Sequence, residues 1–99
     1  MKKIDEIIEK IKEIKPQLEK EYNITEIGIF GSYIREEQTE SSDIDILIEY
    51  DRTKSMSMFK FLGLEEFLSS ILNKKIDLVT KKALKPRIGK RILSEIIYV

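Results

Sequence analysis

The sequence holds no cysteine, no histidine and no tryptophan. Without cysteine there is no disulfide framework, no thiol nucleophile and no thiolate zinc site. Without histidine there is no imidazole base. Chemistry has to run on carboxylates, hydroxyls, Lys, Arg, Tyr, backbone amides and hard metal ions. There is also no surplus of charge, since 18 Lys and Arg face 18 Asp and Glu. That argues against a dedicated nucleic-acid binder, so no DNA binding is expected. No apolar run approaches the ~20 residues that cross a bilayer. The opening Met1-Lys2-Lys3-Ile4-Asp5-Glu6 lacks an apolar signal core. The expectation is a cytoplasmic protein with no membrane association. At 99 residues it is expected to form one domain, 1–99, with one modest core and no separate substrate domain.

What is present is patterned. Ile4, Ile7, Ile8, Ile11 and Ile14 recur at the spacing of one helix face. Pro16 lacks an N–H and clashes one turn back, so the spacing predicts a helix over 2–14 and a second from Pro16 to about 22. Residues 24–30 are β-branched and aromatic and read as a strand ending at Gly31-Ser32. A helical turn over 33–37, capped by Ser32, is expected next. Asp43 to Tyr50 alternates and reads as a second strand. Phe59, Leu62, Phe67, Leu68, Ile71 and Leu72 predict a helix over 58–73. Residues 75–80 read as a third strand, and Pro86 opens a helix to about 95. The end, Ile96 to Val99, is either a short edge strand or a docked tail. This order implies an α/β (α+β) fold, a small mixed β-sheet with helices packed on it.

Charge is uneven along the chain. Residues 23–50 carry one basic and seven acidic side chains, and residues 81–99 carry six basic and one acidic. A carboxylate-rich centre needs a metal ion or Lys and Arg to settle it. The basic run supplies that, meets a partner, or is simply the solvated side of a helix.

The choice of acid is the sharpest clue. Glu occurs 13 times and Asp five, yet three of the five Asp fall in predicted strands, where Asp is disfavoured. Asp43 and Asp45 are two apart, so both side chains leave one face of a strand. Held that close, each carboxylate resists ionising beside the other. A divalent cation removes the penalty, and Asp77 on a neighbouring strand could complete the site. Oxygen ligands alone point to Mg²⁺ or Mn²⁺. Before this pair stands Phe30-Gly31-Ser32. Gly lets the backbone approach a ligand closely, and free N–H groups at a helix start attract an anion. Arg35, one turn on, can grip phosphate with a forked pair of N–H donors.

Taken together, Phe30-Gly31-Ser32-Tyr33-Ile34-Arg35 and Ser42-Asp43-Ile44-Asp45-Ile46-Leu47-Ile48, with Lys75-Ile76-Asp77-Leu78-Val79 after them, resemble the minimal nucleotidyltransferases of the DNA polymerase beta superfamily. The likeness runs over essentially the whole chain. It departs at one point: the family often has Ala-Arg-Gly where this chain has Ile34-Arg35-Glu36. The resemblance implies the nucleotidyltransferase fold, ATP as substrate and two Mg²⁺ ions, with Mn²⁺ as an alternative. Asp43 and Asp45 would bind both ions and Asp77 the catalytic one. Gly31 and Ser32 would hold the β and γ phosphates, and Arg35 would be a weaker phosphate contact. It further implies an antitoxin that transfers AMP to a tyrosine of a HEPN-type toxin, its partner, with a homo- or hetero-oligomer both open. Two alternatives remain at this stage: an antitoxin that acts by binding alone, and a nucleotidyltransferase acting on a small molecule or an RNA end.

Overall fold

A computed structural model describes residues 3–99. Helix α1 runs Lys3–Tyr22, strand β1 Ile24–Phe30, strand β2 Ile44–Tyr50, helix α2 Met58–Leu72, strand β3 Ile76–Thr80, helix α3 Pro86–Glu95 and strand β4 Ile97–Tyr98. Single turns of 3-10 helix, Gly31–Tyr33 and Lys81–Ala83, follow β1 and β3. The sheet order is β3-β2-β1-β4. β1 is antiparallel to β2 and β4, while β2 and β3 are parallel and joined through α2. The end of the chain is thus an edge strand.

One expected break is absent. Pro16 lies inside a continuous α1. It removes one helical hydrogen bond at a cost of about 3 kcal/mol. Pro16 itself is exposed, while Ile11 before it and Leu18 after it are fully buried. Burying each contributes about 1.5–3 kcal/mol, so keeping both on one straight face outweighs the loss. The helix stops instead at Asn23, whose φ of 58° is left-handed. Asn73, at φ 53°, ends α2 in the same way. Ser57 starts α2 by accepting the Lys60 N–H at 3.1 Å.

The core lies between one sheet face and helices α1 and α2. Ile27, Ile29, Ile44, Ile46, Ile48, Ile76 and Leu78 meet Ile7, Ile11, Leu18, Leu64, Leu68 and Leu72 there. The buried stripe of α2 is therefore Leu64, Leu68 and Leu72. Phe59 and Leu62, expected on it, are exposed because the stripe steps by four and they fall outside it. The alternate residues of β2, Asp45, Leu47 and Glu49, point to the opposite face. That face receives the end of α3: Ile96 packs over Gly28, where an added Cβ would lie 2.6 Å from the Ile96 Cδ1.

Two local expectations shift by a residue or more. β2 begins at Ile44, which leaves Asp43 in the loop just ahead of it. Ser32 sits inside the 3-10 turn, and Phe30 takes the N-cap place without a side-chain cap. The short loop bends there because Gly31 is left-handed, which starts the turn before Ser32 can cap it.

Glu36 also has a positive φ, 57°. A side chain there costs about 1–2 kcal/mol of backbone strain, part of which Gly returns as unfolded-state entropy. Glu36→Gly should therefore stabilise the fold by about 0.5–1 kcal/mol, raising Tm by roughly 2–8 °C in a thermal melt. A lower Tm would mean that the contacts of the Glu36 side chain outweigh the strain.

Candidate active site

The site forms where β1 ends against the start of β2. Phe30 is extended, at φ −138°, and Gly31 turns the chain sharply with φ +82°. Phe30 is the register partner of Asp45, so the Asp45 side chain rises directly beside this turn. Its carboxylate lies against Gly31, occupying the space that a Cβ at residue 31 would fill. Gly is required here twice, for the backbone angle and for the carboxylate.

Asp45 in turn pairs in register with Asp77 on parallel β3. As register partners on parallel strands, the two side chains leave the same face of the sheet side by side. Burial, then the Asp77 charge and hydrogen bond, then the Asp43 charge push Asp45 up from 3.8 to about 6, while Arg35 pulls against them. Asp43 is half-buried at the mouth of β2. The loop before it is folded back on itself: Ser42 Oγ accepts the Thr39 N–H at 2.8 Å, and the Ser42 N–H reaches Thr39 O at 3.1 Å.

The three Asp are thus brought to one end of the sheet, at the starts of β2 and β3, but not equally. Asp45 and Asp77 make a close pair, and Asp43 acts on it through its charge. Among the described residues no three acidic side chains gather tightly enough to enclose an ion unaided. That suits a hard cation such as Mg²⁺, which binds through one or two carboxylates and completes its shell with water and phosphate. Asp45's raised proton affinity comes first from burial and then from its two acidic neighbours, the environment in which a nearby cation would favour the anion.

Arg35 does not reach out as expected. Its Nη1 donates to both oxygens of Glu95 at 3.0 Å, and its Nε to Glu37 at 3.2 Å. The Glu95 hydrogen bond is the main reason its guanidinium holds its proton more firmly than usual. Glu95 Oε1 also accepts the Gly31 N–H at 3.2 Å. Ser32 is half-buried in the turn, and its carbonyl accepts the Glu37 N–H at 2.9 Å. Glu95 was missed by sequence reasoning. The one signal was its place as the lone acid among the basic residues of 81–99. Of that basic run, Lys81 pairs with Glu26 at 3.4 Å, while Lys82, Lys85, Arg87, Lys90 and Arg91 are exposed.

Asp45 and Asp77 thus stand side by side on adjacent strands, with Asp45 against the glycine turn that ends β1. The chain belongs to the nucleotidyltransferase domain family, whose model matches residues 7–99. It is 44% identical over 85 residues to the protein adenylyltransferase MntA of Thermococcus cleftensis, covering 86% of this chain and 84% of that one. Its fold superposes on a solved minimal nucleotidyltransferase with a TM-score of 0.76 at 25% identity, over 98% of this chain and 95% of the other. It also superposes on a chain of the complex between a tri-AMPylated Shewanella oneidensis HEPN toxin and an MNT antitoxin. That match has a TM-score of 0.66 at 19% identity and covers 93% and 70% of the two chains. The chain is a nucleotidyltransferase. Among its described residues no helix is long and apolar enough to cross a membrane.

Proposed function

We propose that this chain is a protein adenylyltransferase, moving AMP from ATP to a tyrosine of a HEPN-type toxin and so acting as its antitoxin. The observation that carries the reading is the Asp45–Asp77 pair held against the Gly31 turn, with Asp45 pushed up to about 6. Two further facts support it: the name of the Thermococcus relative and the toxin–antitoxin assembly of the structural neighbour.

In this reading Asp43, Asp45 and Asp77 hold Mg²⁺, two ions in all, and Mn²⁺ suits the same oxygens. Bound there, the ions would neutralise triphosphate charge and lower the pKa of the attacking hydroxyl. The turn made by Gly31 and Ser32 places the β and γ phosphates, Gly31 by its backbone bend, since its N–H is held by Glu95. The tyrosine oxygen forms a bond to the α phosphorus, pyrophosphate leaves, and the phenolic proton passes to solvent. Arg35 is engaged by Glu95 and Glu37, so it is not assigned a phosphate.

Intact-mass spectrometry of the HEPN partner, after incubation with this protein, ATP and Mg²⁺, tests the proposal. The expected result is a gain of one or more adenylyl masses, lost with Asp43→Asn and with phenylalanine in place of the acceptor tyrosine. A stable complex without mass change would favour an antitoxin that acts by binding. Nucleotide addition to RNA without the partner would favour a different acceptor.

A further inference from the structure

The chain's last five residues are held at four points. The Val99 N–H donates to Ile27 O at 2.8 Å. β4 pairs with β1 at Gly28 and Ile29. Ile96 packs on Gly28, at a glycine with no room for a side chain. Glu95 is the fourth point, gripping the Gly31 N–H with one oxygen and the Arg35 guanidinium with both. Its side chain is only 18% exposed. So Glu95 sits on an anchored segment, not on a mobile strap, and it reaches the one residue whose left-handed angle lets Asp45 approach.

We infer that Glu95 and Arg35 form a brace that fixes the Gly31 turn, and through it the Asp45 carboxylate. Glu95 is a positioning residue, and Arg35 serves Glu95 in place of phosphate. The physical logic is a chain of three contacts. Arg35, lying four residues beyond Gly31, holds Glu95 by two charge-assisted hydrogen bonds donated from one nitrogen, Nη1, to its two oxygens. Glu95 thereby presents Oε1 to the Gly31 N–H. That fixes the peptide plane of residue 31, whose Cα is in contact with Asp45. Loosening the turn by an ångström displaces Asp45 from Asp77, and misplacement on that scale lowers turnover ten- to a hundred-fold.

Two other roles are open to this geometry, and each predicts different kinetics. If Glu95 merely filled a phosphate place, its removal would tighten ATP binding. If Arg35 bound phosphate, its removal alone would weaken ATP binding. The inference rests on the nucleotidyltransferase reading, so wild-type pyrophosphate release with ATP, Mg²⁺ and the HEPN partner is measured first.

The experiment is a cycle of Glu95→Ala, Arg35→Ala and the double variant, with Glu95→Gln as the conservative member. The expected result is kcat lowered about ten-fold or more in each Ala single variant and no further in the double. The KM for ATP stays within about three-fold, and Glu95→Gln, which keeps an acceptor for Gly31, recovers part of kcat. Amide hydrogen exchange gives a second readout that needs no nucleotide: the Gly31 N–H should exchange at least ten-fold faster in both Ala variants. Tighter ATP binding in Glu95→Ala, weaker ATP binding confined to Arg35→Ala, or unchanged Gly31 exchange would each overturn the brace. An inactive wild type with faster Gly31 exchange in the variants would count against the proposed function and leave the contact standing.

Discussion

Asp45→Asn is expected to abolish nucleotidyl transfer while making the metal-free protein more stable. The two effects have one cause. In the unfolded chain Asp45 ionises near 3.8, and in the fold only near 6, because burial and the Asp77 and Asp43 charges disfavour the anion. Between those values the folded state binds more protons than the unfolded one, so stability falls as pH rises through the window. The full penalty applies above about pH 6. Asp45 is only half-buried, and after allowing for solvent screening we place the penalty at about 1–2 kcal/mol. The Asn amide keeps the shape and removes the charge. At pH 7.5 its Tm should rise by roughly 5–10 °C, and at pH 4 the gain should shrink towards zero. Transfer should fall by about a thousand-fold or more, since in the proposed function Asp45 is a ligand of the charge-neutralising ions. Melts at the two pH values, with pyrophosphate release alongside, check both halves. A variant that is inactive but no more stable at pH 7.5 would show that the fold does not strain to hold this carboxylate.

Gly31→Ala should be the most damaging small change in the chain. The methyl would collide with the Asp45 carboxylate, and residue 31 would have to hold φ +82° with a side chain. Strain of that kind costs about 1–3 kcal/mol, and the collision adds to it. We expect a loss of about 2–4 kcal/mol in chemical denaturation and a Tm lower by 10 °C or more. Any folded fraction should be inactive, because Asp45 has moved. Combining it with Asp45→Ala separates the two costs. The double variant should recover the collision part and keep the backbone part. Full additivity would mean the two residues do not touch in solution.

Much of the site was legible in the sequence because its chemistry breaks local rules. Asp is rare in strands, so Asp45 and Asp77 stood out among apolar neighbours and fall side by side in the sheet. Gly31 was legible as a strand end, although its contact with Asp45 was not, since that depends on the β1–β2 register. Pro16 misled because local helix rules do not weigh the burial of Ile11 and Leu18 on either side of it. Phe59 and Leu62 misled because the helix carries more apolar residues than its buried face needs. Arg35 was legible as a charge near the turn, but its partner is 60 residues away. Glu95 gave almost no signal, since a single acid at a helix end usually faces water. Only the pairing of β4 with β1 brings it to the turn.

The most direct test of the account is Mn²⁺ uptake followed by electron paramagnetic resonance, with and without ATP, in the wild type and in Asp45→Asn and Asp77→Asn. In the proposed function this carboxylate pair binds a divalent cation together with a nucleotide. That reading predicts that the wild type removes Mn²⁺ from solution when ATP is present, and that either variant loses this uptake while remaining folded. Wild-type protein that binds no Mn²⁺ with ATP, or variants that bind it equally well, would contradict it.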